Sequence, residues 1–264
     1  MTLRESLLHW AALRAPVVKP STRQYHGELI EYICRLWPDR CDWPAVQISE
    51  LDVGAFIPRI SDLSSSRYNG IVTMLKATIP TARVLRRRRI QVKERALLSQ
   101  LEFARLLDAL DKRPRSHAGL VIRFLAHTGL RINEARQLKW SDVQADYFLV
   151  PASVTKNARV RVIPFVNGIR ETLEGLRRVG DGEHILPQSA AKRSLATACK
   201  LAGLPRLTHH DFRHLFTTRC IESEVDVGTV ARWRGDRDGG AMLLKWYFHL
   251  LDPHSRRMAA KVKV

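Results

Sequence analysis

Residues 147–165 read YFLVPASVTKNARVRVIPF. Two apolar runs, Tyr147 to Val154 and Arg159 to Phe165, flank the polar link Thr155-Lys156-Asn157-Ala158. That pattern predicts two short strands folded back as a hairpin. The pattern around them is helical. Upstream, Ser99 stands three positions before Glu102, a capping-box spacing, and Leu101, Leu106, Leu107 and Leu110 form one apolar face. His117 to His127 reads as another helix, with Gly129 placed to end it in a left-handed turn. After Phe165 the helical pattern returns. The expected fold here is mainly α with a small antiparallel β-sheet.

The first 80 residues predict short helices separated by turns. Leu3, Leu7, Leu8 and Ala11 make one stripe. Pro20-Ser21-Thr22 starts a second helix carrying Tyr25, Leu29, Ile33 and Leu36. A third begins at Ile48–Asp52 and ends before Pro58. A fourth, Ser64 to Ile79, carries Tyr68, Ile71, Val72 and Leu75. Residues 83–95 hold seven bases, Arg83, Arg86, Arg87, Arg88, Arg89, Lys93 and Arg95, against Glu94 alone. Such a block is expected to be solvated linker, and beside a duplex it would neutralise phosphates. The expected domains are therefore a helical one at 1–82, a basic linker at 83–95 and a larger α+β one at 96–264.

The chain of 264 residues carries 44 Lys and Arg against 26 Asp and Glu, a net charge of +18 and a pI near 10.5. The excess is spread, +6 over residues 1–90 and +12 over 91–264. A polyanionic partner is implied, nucleic acid before an anionic membrane. No run of 18 apolar residues suggests a membrane span. The N-terminus lacks the continuous apolar stretch of a secretion signal. Cys34, Cys41, Cys199 and Cys220 form no CxxC pair and read as reduced thiols of a cytosolic protein, without a disulfide or zinc site.

Four places carry candidate chemistry. Arg131 follows the Gly129 turn, with Glu134 one helical turn on to orient its guanidinium; the bland reading is a surface ion pair. Lys156 sits at the hairpin tip, where a flexible ammonium can reach a phosphate or a leaving oxygen. His210 and Arg213 share a helical face, an imidazole for proton transfer beside a guanidinium for a phosphate. His210 and His214 have metal-ligand spacing, but nothing nearby completes a ligand set, so no metal is expected. The last place runs from Arg234-Gly235-Asp236 to Tyr247.

Together these pieces resemble the tyrosine site-specific recombinases of the phage-integrase type. His127 to Ala135 is similar to the family's first arginine box, and Thr155 to Pro164 to its β-hairpin lysine segment. His210 to His214 is similar to its His-x-x-Arg box, and Tyr247 to Leu250 to its nucleophile box. The helix starts at Ser21-Thr22 and at Leu63 to Ser66 resemble its core-binding, DNA-binding domain, which makes 96–264 the catalytic domain. The resemblance implies that Tyr247 attacks a DNA phosphate, giving a 3′-phosphotyrosine and a free 5′-hydroxyl. Arg131 and Arg213 would grip the phosphate, Lys156 would protonate the leaving oxygen, and His210 would handle the tyrosine proton, with Glu134 supporting. Arg86, Arg87, Arg88 and Arg89 would contact DNA. No cofactor is implied. The implied partners are duplex DNA with specific recombination sites and, on DNA, three further copies of the chain; off DNA a monomer or weak oligomer is expected. The implied location is the cytoplasm, at the nucleoid.

One residue departs from the pattern. The family places His, or in some members Trp, after the glycine at 235; here Asp236 follows. An ionised carboxylate cannot donate a hydrogen bond and repels a phosphate. Three outcomes stay open: Asp236 points away, it orients Arg213 or Arg131, or the protein is a catalytically impaired DNA-binding relative. A type IB topoisomerase shares the chemistry, but the helical N-terminal domain favours the recombinase.

Overall fold

The computed structural model describes residues 1–90, 98–112, 117–155, 159–180, 182–187 and 191–245. The chain divides into two compact units, Met1–Glu94 and Arg95–Val264.

The first unit is helical: α1 (Leu3–Arg14), α2 (Pro20–Leu36), α3 (Pro38–Cys41), α4 (Glu50–Phe56) and α5 (Ser65–Thr78). Side-chain caps set several starts. Thr2, Ser49 and Ser64 accept the backbone N–H of Glu5, Asp52 and Arg67, satisfying amides that lack a helical partner. The α1 face is Leu3, Leu7 and Trp10, whereas Leu8, expected inside, is 53% exposed. Leu8 lies about 100° around the helix from Leu7, off the stripe that meets α2 and α5. The reading of the cysteines needs correction. The turn at Trp37-Pro38 folds α3 back on α2, bringing Cys34 and Cys41 to a Cα separation of 5.5 Å, paired as a disulfide. Sequence spacing alone, without the turn, gave no sign of this.

The basic stretch does not leave this unit at residue 83. Leu85 is buried in the helical core. The Asn69 side chain on α5 exchanges two hydrogen bonds with the Arg88 backbone, at 2.8 and 2.9 Å. The Arg88 guanidinium donates to the carbonyls of Ser61 and Leu63 and stacks 3.8 Å over the Tyr68 ring. Arg86, Arg87 and Arg89 are exposed. The remaining bases of the expected linker, Lys93 and Arg95, lie outside the described residues.

The second unit contains α6 (Gln100–Asp111), α7 (Ala118–Thr128), α8 (Ile132–Ala135), β1 (Tyr147–Val150), β2 (Arg161–Pro164), α9 (Ile169–Val179), α10 (Lys192–Leu201), α11 (His209–Glu222) and α12 (Val227–Arg234). It is mainly α with a two-stranded antiparallel sheet, as expected. The capping box at Ser99 and Glu102 forms, although Leu101 turns outward at 72% exposure. The register pairs Tyr147 with Pro164 and Val150 with Arg161. The strands are shorter than predicted: the ladder ends at Val150 and Arg161, and Ala152–Val154 turns as a 3₁₀ helix. Phe148 of β1 packs edge-on to Phe124 of α7, and α7 packs against α9 and α11 at the core. Among the described residues, no helix is long and apolar enough to cross a membrane.

Candidate active site

The site begins at the end of α7. Gly129 closes the helix at φ 61°, a conformation an L side chain adopts at a cost, and a Cβ there would run into the Phe216 ring. The chain can thus turn tightly over α11, and the Gly129 carbonyl accepts Nη1 of Arg213 at 2.7 Å. Two residues later comes Arg131, at the start of α8. Glu134 accepts both its backbone N–H, at 3.2 Å, and its Nη1, at 3.0 Å.

Arg213 lies on α11 between Phe212 and Leu215 and is 1% exposed. Its Nη2 donates to the Arg234 carbonyl at 3.0 Å and to Asp236 Oδ1 at 2.8 Å. Burial first, then the charges of Arg234 and Arg131, lower its pKa to about 9, while Asp236 and Glu134 work the other way. It therefore stays charged at neutral pH.

Asp236 follows the left-handed Gly235 that ends α12. Its Oδ1, 2.8 Å from Arg213, is also 3.7 Å from Nη2 of Arg131, and its Oδ2 forms an ion pair at 3.0 Å with Nε of Arg234. Of the outcomes left open by the sequence, the carboxylate takes the inward one: it faces the arginines.

Two participating residues carry no role in the sequence reading: Arg161, and Arg234, which was quoted only as the start of the last motif. Arg161 on β2 donates Nη2 to Glu134 Oε2 at 2.6 Å. It shares its strand face with buried Ile163, so period-two alternation already pointed it inward. Its side chain runs past Gly235, where a Cβ would collide with Nη1. Arg234 is buried on the α12 face of Val230 and Ala231, and its Nη1 donates to Thr217 Oγ1 at 2.6 Å. Its signal was a base at helical spacing from apolar residues. A cleft of about 470 Å³, lined in part by Arg159, Arg161, Trp233 and Arg237, opens beside Asp236.

Glu134 is 3% exposed. Burial acts to raise its pKa, but the Arg161 hydrogen bond and charge, followed by the Arg131 amide and charge, prevail and hold it below the ordinary value. His210 is exposed at the first turn of α11, its ring edge-on to His214. The structure thus brings together Arg131, Glu134, Arg213 and Asp236, and adds Arg161 and Arg234. Lys156 and Tyr247 lie outside the described residues. Among the described residues, no cluster of His, Cys, Asp and Glu is arranged to hold a metal ion.

The phage integrase family model matches residues 97–254. Tyrosine recombinase XerA of Saccharolobus solfataricus is 26% identical over 154 residues, 57% of this chain and 51% of that one. The chain spans about half the length of curated relatives such as this. Among solved structures, the Tn1549 transposon integrase in complex with circular intermediate DNA superposes with a TM-score of 0.76 at 17% identity, covering 94% of this chain and 95% of that one. A lambda integrase tetramer bound to a Holliday junction gives 0.76 at 21% identity, covering 90% and 78%. At such identities the superpositions establish a shared fold.

Proposed function

This chain belongs to the phage integrase family, and from that premise we propose that it cuts and rejoins duplex DNA at specific sites through a phosphotyrosyl link on Tyr247. The observation that carries the reading is the convergence of two guanidiniums on one anion position. Arg131 caps the start of α8 and Arg213 lies within α11, yet both face the same oxygen, Asp236 Oδ1. A phosphate diester placed there would have its non-bridging oxygens gripped from two sides, and the extra charge of the pentavalent transition state would be stabilised.

In this reading the Tyr247 oxygen attacks the phosphorus and the bond to the 5′ oxygen breaks. Lys156 gives that oxygen a proton, and His210 receives the one Tyr247 loses. The product is a 3′-phosphotyrosine and a free 5′-hydroxyl. Rejoining reverses the step with a 5′-hydroxyl from the same or another duplex, so the bond energy is retained and neither nucleotide nor metal is needed.

Asp236 does not by itself cancel this chemistry. Among the described residues, Arg131, Arg161, Arg213 and Arg234 surround two carboxylates, Glu134 and Asp236, which leaves two positive charges for one phosphate. That balance favours the active enzyme over an impaired relative. The net charge of +18 supports a grip on the DNA backbone by both units, with few side chains reading sequence. By likeness to the lambda integrase tetramer, four copies would act together on two sites. The test is a nicked duplex from the ends of the DNA element that carries the gene. A covalent protein–DNA adduct that survives detergent and vanishes in Tyr247→Phe supports the reading; well-bound DNA without an adduct refutes it.

A further inference from the structure

A part-buried carboxylate beside a phosphate pocket needs a cation that the phosphate does not take. Asp236 is 13% exposed in its side chain, and its two oxygens face different guanidiniums. Oδ1 lies toward Arg213 and Arg131, where the substrate phosphate belongs. Oδ2 lies 3.0 Å from Nε of Arg234, an ion-pair contact without hydrogen-bond geometry.

Arg234 is built to stay in place. It is 8% exposed, and Nη1 is fixed to Thr217 Oγ1 of α11 at 2.6 Å. Thr217 is itself held, donating to the Arg213 carbonyl at 2.9 Å. The carbonyl of Arg234 accepts the same Arg213 Nη2 that meets Asp236. One residue thus touches Arg213 through its backbone and Asp236 through its side chain, and Gly235 between them supplies the left-handed turn that allows both.

Resting on the proposed function, we infer that Arg234 is a positioning residue that neutralises Asp236, so that a DNA phosphate can take Arg131 and Arg213 without meeting an unpaired carboxylate. Before DNA arrives, Oδ1 of Asp236 fills the phosphate's place. When the phosphate enters, Asp236 gives up Oδ1's contacts and keeps its charge balanced through Oδ2 and Arg234. No covalent bond is made or broken in this exchange; two anions trade partners around three cations, Arg131, Arg213 and Arg234. Removing a cation from this set leaves a part-buried negative charge unbalanced beside the substrate, whereas removing cation and carboxylate together leaves the pocket open.

The test is a double-mutant cycle on Arg234→Met and Asp236→Asn, with two readouts. The first is the single-turnover rate of adduct formation on the nicked duplex. R234M should lose about 100-fold, the scale of one lost transition-state donor, with duplex affinity changed less than about threefold. R234M/D236N should recover to within about fivefold of D236N. The second readout needs no cleavage: inorganic phosphate, against chloride at matched ionic strength, should raise the Tm of the full chain and of R234M/D236N but not of R234M. Should R234M not fold, Arg234→Lys, which keeps the cation, should preserve the phosphate shift and adduct formation within about tenfold. A double variant as impaired as R234M, an R234M that matches the wild type, or an R234K without the shift overturns the inference. Phosphate shifts in the expected pattern without any adduct would sustain the role of Arg234 and defeat the cleavage reading alone.

Discussion

Arg161 on β2 donates Nη2 to Oε2 of Glu134 at 2.6 Å, and so ties the hairpin to the turn that carries Arg131. The Glu134 and Arg161 side chains are 3% and 9% exposed. Breaking one partner of such a pair leaves the other charge buried, and Arg131 covers only part of the loss. Arg161→Leu should therefore cost about 3 kcal/mol, the lower end of the range for a broken buried pair. Chemical denaturation of the full chain measures it, and a loss below about 1 kcal/mol would show the bridge to be superficial.

The same pair sets a pH dependence. The folded-state pKa of Glu134 lies below the ordinary value of 4.5. A depressed carboxyl contributes stability that is complete above the unfolded value and is lost as pH falls through the lowered one. The second unit should accordingly lose stability from about pH 4.5 downward. Glu134→Gln should be less stable at pH 7 and flatter below that point. Parallel stability curves for the two proteins would contradict this.

Much of this architecture is legible in the sequence because it rests on local chemistry. Ser49, Ser64 and Ser99 announce helix starts by satisfying backbone amides nearby, and Gly129 announces a left-handed end. The polar link after Val154 announces the hairpin. What the sequence hides depends on tertiary placement. Arg88 reads like its neighbours, and only the fold shows it stacked on Tyr68. Cys34 and Cys41 meet only because the chain reverses at Pro38. Asp236 could be seen to depart from a pattern, but its direction depends on Arg213 and Arg234, 23 residues away and two residues away.

The basic run should split by function. Arg88→Ala removes guanidinium bonds to two carbonyls and a ring contact, so it should lower stability by about 1–3 kcal/mol. Arg86→Ala and Arg89→Ala should leave Tm within about 2 °C. If these exposed bases meet phosphates, each should reduce the salt slope of DNA binding by about 0.9. Equal effects of all three on Tm would remove the distinction.

Replacing Asp236 with His exchanges a carboxylate on Arg213 for a hydrogen-bond donor. Because Oδ1 must leave Arg213 before the phosphate takes its place, cleavage of the nicked duplex should rise about tenfold, the factor that ~1.4 kcal/mol of relieved competition gives. Rapid-quench rates on the preformed complex isolate the chemical step. An unchanged or slower rate would mean that the carboxylate does not oppose the phosphate.

The most direct test of the shared anion position is a cycle of Arg131→Ala, Arg213→Ala and the double variant, followed by single-turnover adduct formation. If both guanidiniums hold one phosphate, each single change should cost about 100-fold or more. The double variant should then fall less than about tenfold further, because groups acting as a unit are not additive. Losses that multiply in full, or a single variant that cleaves at the wild-type rate, would show that the two arginines do not grip the same phosphate.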